Sequence, residues 1–80
     1  MTMRKTEARA IDLCDRVNEL SLRRTLLGSC RNELNDKKAL LAKGDTSVMP
    51  RIKELFDLIE MHNAWIERNL PIIQSMMKVS

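Results

Sequence analysis

The sequence predicts an all-α fold, an antiparallel two-helix hairpin with helices over about residues 5–43 and 48–79. Three observations predict it. Good helix formers dominate the 80 residues, and Gly and Pro occur only twice each. Two long stretches carry apolar residues at seven-residue spacing, and a single strong turn signal separates them. Hydrophobic residues make up 44% and charged residues 31%, enough apolar surface to argue against a disordered chain. Eighty residues allow one domain, so residues 1–80 are read as a single α-helical hairpin.

In the first helix the series is Leu13, Leu20, Leu27, Leu34 and Leu41. It stays in phase across Gly28-Ser29, where a chain reversal would have no reason to preserve phase. One continuous helix is therefore expected, with a break at Gly28 and a three-helix bundle as the alternative. The stretch "AKGDTSVMP" ends the helix. Gly44 can take the left-handed conformation that terminates a helix, Thr46 or Ser47 can cap the next one, and Pro50 falls in its first turn. So short a connection makes the helices antiparallel.

The second helix carries Ile52, Ile59, Ile66 and Ile73, with a parallel line of Leu58, Trp65, Ile72 and Val79 one position earlier. Leu55, Phe56, Leu70, Met76 and Met77 add to this face. It takes in about four of every seven positions, wider than the two of seven in a two-stranded seam. One partner helix cannot cover it, so the hairpin is expected to assemble into a four-helix bundle or to dock another protein. Pro71 is expected to kink this helix; the alternative is a separate last turn capped by Asn69.

With the leucines at heptad position d, Arg9, Arg16, Arg23 and Lys37 fall at g, and Arg24, Arg31 and Lys38 at a. These seven cations form a basic stripe along one edge of the leucine seam. The acids Asp12, Asp15, Glu19, Glu33 and Asp36 fall at c and f, on the outer face, where few are placed to neutralise it. Net charge is +3 overall, yet residues 1–43 hold ten Lys/Arg against six acids and residues 44–80 four against five. Parallel pairing of the first helix with its own copy would stack Arg24, Arg31 and Lys38 on themselves and is disfavoured. The stripe can be a solvated rim, a contact for an acidic protein, or a track for a phosphate backbone. It lacks the interleaved aromatics of single-strand binders, and no helix-turn-helix spacing or zinc signature occurs.

Catalytic chemistry is not expected. His62 is the only histidine, at a d-type position at the edge of the core, and "EMHN" puts Glu60 and His62 on different helix faces. A Cys30–His62 nucleophile pair would lack an orienting group and an oxyanion site. No Gly-rich phosphate loop or CxxC is present, so no cofactor, metal or small-molecule substrate is expected. Cys14 and Cys30, about 24 Å apart on one helix, are beyond bridging range. Two unpaired thiols, the lack of a signal-peptide pattern and the lack of a membrane span point to the cytoplasm.

These readings converge on a small non-enzymatic protein that acts by protein–protein interaction. Leu58, Trp65, Ile72 and Met76 are its expected apolar contact with a partner or a second copy, and the stripe supplies steering and register. The alternative is a backbone-directed, salt-sensitive nucleic-acid binder that uses the stripe.

Overall fold

The turn forms as the sequence implies, except for its cap. In the computed structural model, which describes residues 5–78, α1 spans Lys5–Ala42 and Gly44 follows at φ 97°. The Gly44 N–H donates to the Leu41 carbonyl (2.9 Å) and the Asp45 N–H to the Leu40 carbonyl (3.1 Å). This pair of reversed bonds satisfies carbonyls that the helix end would leave open. Neither Thr46 nor Ser47 caps the second helix, whose N-cap position is Val48 with no side-chain bond; Asp45 instead caps the 3-10 turn before it, its Oδ1 accepting from the Ser47 N–H at 3.1 Å and also from the Ser47 hydroxyl. A single 3-10 turn, Thr46–Val48, absorbs the residues that were expected to open the second helix. The second helix, α2, spans Met49–Met77, with Pro50 in its first turn, where no N–H is needed. Residue 79, where this helix was expected to end, lies outside the described residues.

Neither internal breaker stops its helix. α1 passes through Gly28 and α2 through Pro71. Asn69 does not cap a separate turn: its Nδ2 donates to the Trp65 carbonyl at 2.8 Å within α2. No helix among the described residues is long and apolar enough to cross a membrane.

Burial corrects the assignment of the leucine seam. Leu20, Leu27 and Leu34 are buried and Leu13 and Leu41 half-buried. The row that joins them is g, where Arg16, Arg23, Cys30 and Lys37 are all half-buried. Val17, Arg24, Arg31 and Lys38, at position a, are all exposed. α1 therefore presents its d and g rows to α2, and the a row lies outside the seam on one flank. α2 answers with its isoleucines at a and with Leu55, His62, Asn69 and Met76 at d. Antiparallel register follows from the contacts that cross the seam, Arg16 to Asn69 and Arg23 to His62, seven residues up one helix and seven down the other.

The tightest packing lies toward the turn, where Leu34, Val48, Ile52 and Leu55 form one cluster against Cys30, Leu41 and Ile59. Leu55 and Ile73 are the largest side chains sealed from solvent among the described residues, at 0% and 1% exposure. The hairpin measures 61 × 26 × 14 Å, a single layer of two helices, with a radius of gyration of 18.2 Å. A compact chain of this length would have about 12 Å. Its accessible surface is 6310 Å², against about 5,000 Å² for a compact chain of this mass. The excess is apolar in part, because two helices leave two broad sides uncovered.

Candidate functional site

Two sides flank the seam, and they divide the residues that the sequence grouped together. On one side lie the c row of α1 and the g row of α2; on the other lie the a row of α1 and the e row of α2. Contacts between the helices fix this assignment. Arg51 of the g row bonds Glu33 of the c row, whereas Lys38 of the a row lies over Phe56 of the e row, 5.7 Å from its ring centroid.

The first side holds Leu58, Trp65 and Ile72. Trp65 is half-buried because Arg23 reaches over it, with the guanidinium carbon 5.4 Å from the ring centroid. The same guanidinium donates from Nε to Glu19 (2.8 Å), and its Nη1 lies 3.0 Å from His62 Nδ1. A guanidinium has no acceptor, so His62 Nδ1 accepts this bond and the ring proton sits on Nε2. His62 is thus a buried member of the seam, and its described hydrogen bond is to Arg23, not to Cys30. Leu58 is half-buried and Ile72 exposed, and next to this row lie the exposed Leu22, Leu26 and Met61. Met76, expected to join the row, sits half-buried at the distal end of the seam instead.

Charges on this side are largely neutralised within the chain. Arg51 grips Glu33 with two bonds, Nε to Oε2 at 2.6 Å and Nη2 to Oε1 at 2.8 Å, and reaches Glu54 at 3.0 Å. The hydrogen bonds from Arg51 hold the Glu33 carboxyl below the usual carboxylate range, and those to Glu33 raise Arg51 further.

The basic stripe is therefore two structures. Arg16 and Arg23 belong to the seam, and the acids taken as facing outward do neutralise them: Asp12 pairs with Arg16 and Glu19 with Arg23, each four residues away. Arg16 also donates from Nη1 to Asn69 Oδ1 at 3.1 Å. Lys37 is half-buried in the same row, and Arg9 is exposed beyond its end. Every buried side-chain nitrogen or oxygen among the described residues has a partner. Long stems with satisfied heads let a cationic row serve as half of a seam.

Arg24, Arg31 and Lys38 form the second structure, an exposed line on the opposite side. Among the described residues, Arg24 and Arg31 make no ion pair. Two open grooves line this side. One, of about 360 Å³, is bounded by Val17, Leu20, Ser21, Arg24 and Thr25 of α1. The other, of about 460 Å³, is bounded by Phe56, Ile59, Glu60, Asn63, Ala64 and Glu67 of α2. Glu60 and Glu67 of the second groove are seven residues apart, the same spacing as Arg24 and Arg31. No group of three His, Cys, Asp or Glu converges to hold a metal among the described residues. No family model, curated protein or solved structure matches the chain.

Proposed function

We propose that this chain is a non-enzymatic helical protein that acts by protein–protein interaction, through self-association, docking on a larger protein as adaptor, chaperone or inhibitor, or both. The observation that carries it is the apolar surface left on both sides of the hairpin. Leu22, Phe56, Met61, Ile72 and Met77 are between 42% and 61% exposed. Leu58 and Trp65 extend the patch on one side. Large exposed apolar surface rimmed by charge is the usual mark of a protein contact.

A second reading rests on Arg24 and Arg31, exposed, one heptad apart and in no ion pair among the described residues, which suits a phosphate backbone. One titration separates the two. The purified chain is mixed with labelled duplex and single-stranded DNA at about 50 and 200 mM salt, a range over which several phosphate contacts weaken binding by orders of magnitude. Absence of binding at both salts is expected. Tight binding at low salt with a steep loss at the higher one would overturn the protein-interaction reading in favour of phosphate.

A further inference from the structure

We infer that the Trp65 side is covered by a second copy of this chain, α1 of each copy lying on α2 of the other with both turns at the same end. This rests on the interaction reading above and names its partner.

The contacts across the seam fix which residues stand level. Arg16 meets Asn69, Arg23 meets His62 and Glu33 meets Arg51, so two residue numbers at one height sum to 84 or 85. By that register Leu26 is level with Leu58, Met61 falls between Leu22 and Leu26, and Trp65 lies about 4 Å in height from Leu22, at about 1.5 Å rise per residue. Leu22, Leu26 and Met61 are exposed, and Leu58 and Trp65 half-buried. These five residues form one apolar belt across both helices, two from α1 and three from α2. A two-fold axis along the hairpin keeps every height and exchanges the helices. It lays Leu22 and Leu26 on the partner's Leu58, Met61 and Trp65, twice over, so the belt is its own complement.

The charges beside the belt select the same arrangement. Asp15 of α1 and Arg68 of α2 are exposed, and neither is in an ion pair with another described residue. Arg68 stands within about 3 Å of the height of Asp15. The axis therefore sets each Asp15 opposite the partner's Arg68. Toward the turn, Glu33 comes level with the partner's Arg51, and Glu54 falls beside the partner's Ser29. The other face-to-face arrangement turns the second hairpin end for end and lays α1 on α1. With Leu22 kept on the partner's Leu26, it opposes Asp15 to the partner's Glu33 and Asp12 to the partner's Asp36. Against these two like-charge pairs it offers one favourable pair, Arg68 with the partner's Glu54, so the first arrangement prevails.

The opposite side of the hairpin has no such match. Its exposed Val17, Phe56 and Met77 stand about 14 Å or more apart in height and form no belt. The same axis there sets Arg24 level with the partner's Glu60 but Arg31 level with the partner's Lys53. The product on the Trp65 side is a four-helix bundle in which every neighbouring pair of helices is antiparallel, with Arg24 and Arg31 on its outer surface.

Sedimentation equilibrium on single variants tests this. Met61 and Phe56 are each 50% exposed, on opposite sides of the hairpin. Met61→Lys and Phe56→Lys therefore add the same charge at equal exposure, and circular dichroism checks that each stays helical. Met61→Lys is expected to weaken self-association by on the order of a hundredfold, as loss of a central anchor does. Phe56→Lys is expected to stay within about twofold, as a change outside the contact. Asp15→Arg and Arg68→Asp should each weaken the dimer by on the order of tenfold and recover it when mixed one to one, because each reversed charge then meets its complement. A dimer that Met61→Lys leaves intact, or that Phe56→Lys also destroys, overturns this face while leaving self-association standing. A mixture no stronger than its two components overturns the arrangement of α1 on α2. A wild-type chain monomeric at about 100 μM overturns the second copy as occupant, and the DNA titration above then decides separately whether the interaction reading survives.

Discussion

Arg23 Nη1 lies 3.0 Å from Nδ1 of His62, a bond between a cationic side chain and a histidine across the centre of a two-helix seam. The rest of the guanidinium is also engaged, by Glu19 and by the Trp65 ring. This one residue holds together both helices and the tryptophan side.

Its removal should therefore cost more than that of its neighbour. Arg23→Ala leaves His62 Nδ1 buried without a donor and uncovers Trp65, a loss of about 1–3 kcal/mol. Arg24→Ala, on the exposed row, should stay within about 0.5 kcal/mol when measured on the monomer. Urea denaturation of both variants at a dilution that dissociates any oligomer checks the order. Equal losses would return Arg24 to the seam.

The core cluster is small, so single truncations inside it are severe. Leu55→Ala should cost about 2–5 kcal/mol. Leu55 is 0% exposed and packs with Leu34, Val48 and Ile52, so the lost side chain leaves a cavity in the core cluster. Thermal melting by circular dichroism should show a strongly lowered Tm, or a chain largely unfolded at 25 °C.

The two glycines should respond with opposite signs. Gly44 sits at φ 97°, so Gly44→Ala strains the turn and costs about 1–2 kcal/mol. Gly28 is in regular helix with open space around it, and Gly28→Ala should stabilise by about 0.5–1 kcal/mol. Paired denaturation curves decide it.

Stability should fall in acid through Glu33. Its carboxyl is held below the ordinary value by the hydrogen bonds from Arg51. The unfolded chain therefore binds the proton more readily than the folded one. The contribution is complete above about pH 4.3, the ordinary value for glutamate, and disappears as pH falls through the lower folded value. Glu33→Gln should flatten the loss of Tm between pH 5 and pH 3 relative to wild type.

Much of the fold was legible from spacing alone. The two isoleucine and leucine series located both helices, and Gly44 located the turn, because only glycine takes its φ without strain. Continuity through Gly28 followed from the unbroken phase of Leu27 and Leu34. The expected cap at Thr46 or Ser47 is absent because both residues lie inside the 3-10 turn that Asp45 caps, and α2 starts after it with Val48 at its N-cap. The polar members of the seam were hidden because composition ranks Arg16, Arg23, His62 and Asn69 as surface residues, whereas their bonds to one another make burial tolerable.

The sequence by itself determined that this chain is two helices, where each runs, and that α2 has more apolar face than α1 can cover. Periodicity suffices for that, since it reports which residues share a helix face. Which neighbouring row completes the leucine seam was decided only in the tertiary structure. The residues three and four before each leucine flank it equally on an isolated helix, and the choice between them is made by what the partner helix offers. α2 offers His62 and Asn69 to Arg23 and Arg16, and Phe56 to Lys38. That choice turned one basic stripe into a structural row within the seam and an exposed row in which Arg24 and Arg31 form no ion pair among the described residues.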